Sequence, residues 1–143
     1  MSEDADVKDV VRAWHRAISS GDAAALKALW DQDYEGLIYI AEENNEPLTD
    51  WASINAYYDE LLAAPVKWSI DGLQVGVEGD AAWVYLTFVA EGRVEALQHD
   101  FVWNGRNSFF LRKSGGDWKI VHYHESLSRD RSHDAWGWFF EAK

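Results

Sequence analysis

Four ionisable side chains follow one another at His122, Tyr123, His124 and Glu125, inside the segment WKIVHYHES that runs from Trp118 to Ser126. A carboxylate at the end of a strand can accept a hydrogen bond from a ligand. Where burial raises its pKa, it can also act as a general base. Glu125 is the candidate for both roles; the alternative is an exposed rim carboxylate paired with Arg129 or Arg131. His122 and His124 stand two residues apart, which puts both imidazoles on one face of a strand, the edge of a possible zinc or iron site. The further ligands would have to come from His15, His99 or Asp100, and no spacing brings these together. No metal is therefore expected, and the two imidazoles are read as hydrogen-bonding groups on a packed face. His99 and Asp100 form a second candidate pair for proton transfer. The chain has no G-x-x-x-x-G-K, G-x-G-x-x-G or G-x-S-x-G segment, so neither a nucleotide cofactor nor serine-hydrolase chemistry is expected.

These groups need a scaffold, and the chain writes one in order. Asp4 or Asp6 can cap a first helix whose stripe is Val7, Val10, Val11, Trp14 and Ile18, with Gly21 suited to the left-handed position after its end. Asp22 caps a short second helix carrying Leu26, Leu29 and Trp30. Tyr34 to Ile40 reads as a short strand, Ala41 to Asp50 as a polar loop, and Thr49 or Asp50 to about Ala64 as a third helix ended by Pro65. The period then becomes alternating. Val66 to Val77 and Ala81 to Glu91 are strands joined at Glu78-Gly79-Asp80, and Ser108 to Lys113 joins the Trp118 strand through the Gly115-Gly116 turn. On the Ala81 strand, Trp83, Tyr85, Thr87 and Val89 share one face; Val84, Leu86 and Phe88 share the other. On the last strand, Trp118, Ile120, His122 and His124 oppose Lys119, Val121, Tyr123 and Glu125. Gly92 to Asn107 is either a long loop or an added hairpin, with Asn104-Gly105 a turn signal and Asp100 to Trp103 a possible lid. The order of elements predicts an α+β domain with helices on one face of a curved antiparallel sheet.

Composition limits the partners. A net charge of −12, from 13 basic and 25 acidic side chains, disfavours nucleic acid and anionic membrane surfaces. There is no Cys, hence no disulfide framework or thiolate chemistry. The acidic N-terminus MSEDADVKD has no signal-peptide core, and no stretch approaches a membrane span, so a cytoplasmic protein is expected. Nine Trp, six Tyr and six Phe offer rigid walls for a small apolar or planar ligand.

The segments AISSGD, ALKALW, SINAYYDELL, GDAAWVYLTF and DWKIVHYHES together resemble the nuclear-transport-factor-2-like superfamily, and within it the SnoaL-like branch that includes the association domain of calcium/calmodulin-dependent kinase II. The resemblance spans about residues 7 to 127. It implies a cone of strongly curved antiparallel sheet wrapped around three helices, a pocket at the wide end, and homodimers through the outer sheet face. It directs Tyr57, Trp83, Tyr85, Thr87, Val89, Val121, Tyr123 and Glu125 toward that pocket. The ketosteroid isomerases of this superfamily use a Tyr, an Asp base and a protonated Asp. Their positions fall here on Trp14, on Ile38, and near His99-Asp100 or on Ser108, so Trp14 could offer only an N–H and Ile38 offers no base. Three functions follow as expectations: a small-molecule-binding protein; an isomerase, dehydratase or hydrolase using Glu125 or His99-Asp100; or an association module, with the terminal AWGWFF cluster closing the mouth or meeting a partner.

Overall fold

Each helix begins where a side chain can satisfy its free N–H groups. In a computed structural model, which describes residues 2–63 and 66–128, Ser2 rather than Asp4 or Asp6 caps α1 (Glu3–Ser20), its Oγ accepting from the Ala5 N–H at 3.2 Å. Asp22 caps α2 (Ala23–Ala28) and Asp50 caps α3 (Trp51–Leu61) in the same way. The α1 stripe is buried as predicted at Val7, Val11, Trp14 and Ile18, and Gly21 follows it at φ 71°.

The strands are β1 (Ile38–Ile40), β2 (Val66–Glu78), β3 (Ala81–Val94), β4 (His99–Ser114) and β5 (Asp117–Leu127), in the order β1-β5-β4-β3-β2. All pairs are antiparallel except β1 with β5, which is parallel through Ile38↔His122 and Ile40↔His124. The expected all-antiparallel sheet is thus mixed. Its direction at that edge is set one step earlier, where Trp30 forms a parallel bridge to Ile120 as the chain leaves α2.

Residues 92–107 are not a loop; they form a hairpin end that extends β3 and β4. β3 continues to Val94, a short 3-10 turn takes Glu95–Leu97, and β4 runs unbroken from His99. Asn104-Gly105 therefore lies inside a strand. Gly105 is needed there for clearance, because an added Cβ would come within 2.3 Å of the Phe88 ring and 3.0 Å of the Ser126 carbonyl oxygen.

Two bulges decide which side chains enter the cone. Between Ile120 and His122 the register with β4 shifts, leaving Val121 as the extra residue. Trp118 and Ile120 then share the inner face with Tyr123 and Glu125, while His122 and His124 turn outward. Strict alternation had put the first two on the opposite face. A similar shift at Asp71 adjusts β2. On β3 the buried set is Ala82, Val84, Leu86, Phe88 and Ala90. Trp83 and Tyr85 are 46% and 43% exposed on the outer face, and Thr87 and Val89 share that face. The expectation that these four line the pocket is overturned. Both residue sets are apolar enough for a core, but α1 already fills the interior with Trp14, which is edge-on to Trp68 and Phe109 at 5.9 and 5.4 Å. The set with the smaller side chains, in which Phe88 is the one ring, leaves room for that ring layer.

No helix among the described residues is long and apolar enough to cross a membrane. The AWGWFF cluster, and with it Arg129 and Arg131, lies outside the described residues.

Candidate functional site

Paired residues of β5 and β4 place a chain of hydrogen bonds on the buried face of the sheet. Tyr123 donates its hydroxyl to Glu125 Oε1 at 2.6 Å, and Asn107 Nδ2 donates to the Tyr123 oxygen at 2.9 Å. The Glu42 backbone N–H reaches Glu125 Oε2 at 3.4 Å. The neighbouring strands set this geometry, since Asn107 pairs with Glu125 in the β4–β5 ladder. Asn107 is 1% exposed, and its Oδ1 has no partner.

Glu125 faces a cavity of about 50 Å³, walled by Tyr39, Tyr57, Trp68, Phe88 and Trp103 and bordered by Glu43. Burial is the largest influence on the Glu125 carboxyl and raises its pKa; the negative charges of Glu43 and Glu42 push the same way, while the Tyr123 hydroxyl and the Glu42 N–H oppose them. Around it stands a set of phenols. Tyr39 stacks on Tyr123 with centroids 4.6 Å apart, Tyr57 donates to Glu43, and Tyr58 accepts from both Trp14 Nε1 at 3.1 Å and Trp30 Nε1 at 3.0 Å. Burial raises the pKa of all four tyrosines, so they remain neutral donors. A carboxyl of raised pKa in an aromatic-walled space can hold a proton for a ligand or take one from it.

The predicted residues divide clearly. Tyr57 and Glu125 line the cavity, and Tyr123 lies directly behind Glu125. Trp14 does not reach the cavity; it is fully buried and its N–H is committed to Tyr58. Val121 is the bulged, half-buried residue and is absent from the cavity wall. His99 and Asp100 are exposed near the tip of the β3–β4 hairpin, where Asp100 pairs with Arg93 at 2.7 Å rather than with His99, far from the buried carboxyl of Glu125. A hairpin tip has no neighbouring strands to desolvate such a pair. His122 and His124 are outward, with ring centroids 6.5 Å apart, and His122 meets the Phe110 ring edge-on at 5.1 Å. Among the described residues no three His, Cys, Asp or Glu side chains converge as a metal site.

Sequence reasoning missed Asn107, Tyr39, Tyr58 and Glu43, whereas Trp103, from the possible lid segment, does border the cavity. The signal for Asn107 was present: extending strand alternation backward from Leu111 and Phe109 reaches Asn107 and Gly105 on the same face. The Asn104-Gly105 turn signal concealed it.

Comparison with known proteins agrees with this architecture. The nuclear transport factor 2-like superfamily protein of Salmonella enterica serovar Typhimurium superimposes with a TM-score of 0.78 at 18% identity, over 89% of this chain and 92% of that one. A ketosteroid isomerase-like protein from Erwinia carotovora atroseptica gives 0.75 at 17% identity, over 90% and 98%. The CaMKII hub of S. rosetta gives 0.74 at 18% identity, over 90% and 98%. At these identities the likeness is one of fold. No curated protein matches the sequence. The SnoaL-like domain family matches residues 7–130, and with that match spanning most of its length the chain belongs to the SnoaL-like family.

Proposed function

We propose that the chain binds a small molecule by a flat, largely apolar end that enters between Tyr57 and Trp103 and meets Glu125. The observation that carries this reading is a buried carboxyl of raised pKa facing an aromatic-walled void. At about 50 Å³ the void has room for a few water-sized groups, well short of the roughly 300 Å³ at which drug-sized pockets begin. The ligand is therefore small or only partly enclosed. Proton transfer at Glu125 is the chemistry this arrangement is best suited to supply, which keeps an isomerase or dehydratase within the same reading. The route of the ketosteroid isomerases lacks support, since Ile38 offers no base and the Trp14 N–H is already used. The acidic, cysteine-free composition supports a cytoplasmic setting.

Two measurements test the reading. Native mass spectrometry of protein taken directly from its host should find a small molecule on the wild type that is lost in Glu125→Gln. The pH dependence of stability should change as well. The folded state holds the Glu125 proton more tightly than the unfolded chain, so this contribution is fully present below the ordinary 4.5 and is lost as pH rises through the folded pKa. Glu125→Gln should match the wild type near pH 4 and become the more stable of the two as the pH rises toward 8. A bare wild-type protein together with a pH-independent difference would sink the proposal.

A second reading, self-association through the outer sheet face, is favoured by a separate observation. Trp83, Tyr85 and Phe110 are each more than 40% exposed on adjacent strands, beside His122. One structural neighbour is itself a kinase hub. We expect the wild type to elute as a dimer in light-scattering chromatography and Phe110→Glu to elute as a monomer with unchanged circular dichroism. A monomeric wild type would remove this reading.

A further inference from the structure

We infer that the groove between α1 and the free edge of β2 is a second binding site, for a small organic anion carrying a flat apolar body. The groove holds about 330 Å³ and is lined by Arg12, His15, Arg16, Ser19, Trp68 and Ile70. β2 is the last strand of the sheet, and Ser19 fastens α1 to its edge by accepting from the Trp68 N–H at 3.1 Å and donating to the Trp68 carbonyl at 3.4 Å.

Charge is the first reason. Arg12 and Arg16 are exposed one turn apart on α1, a like-charge spacing that destabilises a helix when nothing compensates it. The chain has 25 acidic side chains for 13 basic ones. Among the described residues, carboxylates cover Lys27, Arg93, Arg112 and Lys113 but not Lys8, Arg12, Arg16, Lys67, Arg106 or Lys119, and of these uncovered cations Arg12 and Arg16 are the two that border the groove. Two adjacent guanidinium forks above a groove suit a carboxylate, which each can hold through paired N–H groups.

The floor is the second reason. Trp68 and Ile70 are half-buried and apolar, giving a flat body a surface that a bare inorganic ion would not use. His15 beneath them is 5% exposed. Its Nδ1 donates to the Val11 carbonyl at 3.1 Å, which leaves Nε2 as a buried acceptor with no partner. Burial holds this imidazole at a pKa of about 4, so it is neutral near pH 7 and the arginines supply the site's positive charge. A groove that joins uncovered cations and an apolar floor has the parts of a site for such an anion, and the unmet His15 acceptor leaves room for an O–H or N–H on the ligand's body.

Sodium benzoate is a suitable probe, with benzyl alcohol as the uncharged control and inorganic phosphate as the anion without a ring. In an NMR titration of the full chain, benzoate should shift the His15 and Arg12 signals saturably. Arg12→Gln/Arg16→Gln, two exposed changes that leave the remaining spectrum in place, should weaken binding roughly tenfold or more through loss of the charge-assisted contacts. Benzyl alcohol should not saturate, and phosphate should bind more weakly than benzoate. The proposal fails if the wild type shows no saturable shift, if the double variant binds benzoate equally well, if phosphate equals benzoate, or if the shifts are confined to Tyr57 and Glu125 in the cone.

Discussion

Trp14→Ala should cost about 3–5 kcal/mol of folding stability, the usual range for removing a buried large aromatic. The indole is fully buried, stacks on Tyr123 at 5.0 Å, and lies edge-on to Phe109 and Trp68. Truncation removes these contacts together and leaves a void between α1 and the sheet. Tyr58 keeps a donor in Trp30, so the loss is chiefly one of packing rather than of an orphaned hydroxyl. Against the roughly 5–15 kcal/mol of a typical domain, such a loss brings the protein close to its unfolding threshold. Urea denaturation should show a lowered midpoint with an unchanged slope. Trp14→Phe keeps a ring in the layer and should cost less than half as much. A change below about 1 kcal/mol for the alanine variant would show that the layer repacks without the indole.

His15→Leu should remove much of the protein's sensitivity to acid. Burial lowers the pKa of His15 from 6.5 to about 4. The unfolded chain therefore binds a proton that the folded chain refuses, starting as the pH falls below about 6.5 and saturating below about 4. Stability from this group is complete above that window and declines within it, by up to about 3 kcal/mol for a displacement of this size. Glu125 acts in the opposite sense, losing its contribution as the pH rises. Thermal melts between pH 4 and pH 8 should show the wild type falling steeply on the acid side and His15→Leu falling much less. Parallel curves for the two proteins would place the acid-sensitive group elsewhere.

The apolar periods of the helices were legible because helix spacing, a capping Asp and a terminal Gly all act locally. Asp22, Asp50 and Gly21 occupy the places their chemistry predicts. The hairpin turns at Gly79 and at Gly115-Gly116 were equally readable, since these glycines adopt positive φ where the chain reverses. The family resemblance added the cone, which β-strand patterning alone does not specify.

The candidate site was half legible. Glu125 could be named because a carboxylate at the end of an apolar strand is a sequence feature, whereas Tyr57 came from the family resemblance. Asn107, although alternation from Phe109 and Leu111 reaches it, was masked, because the neighbouring Asn104-Gly105 pair has a strong local turn preference that a long ladder with β3 overrides. The resemblance directs Trp83 and Tyr85 inward, and alternation cannot correct it, because it defines two faces without saying which one meets the helices.

By itself, the sequence determined the helices, their caps, the tight turns, the acidic surface and an aromatic-rich interior, all of which depend on neighbours a few residues apart. The tertiary structure alone decided the parallel β1–β5 pairing, the Val121 bulge that brings Trp118, Tyr123 and Glu125 to one side, and the uncovered arginine pair beside Trp68. Each of these depends on residues far apart in the chain, where side-chain volume and strand register, rather than local preference, set the energy.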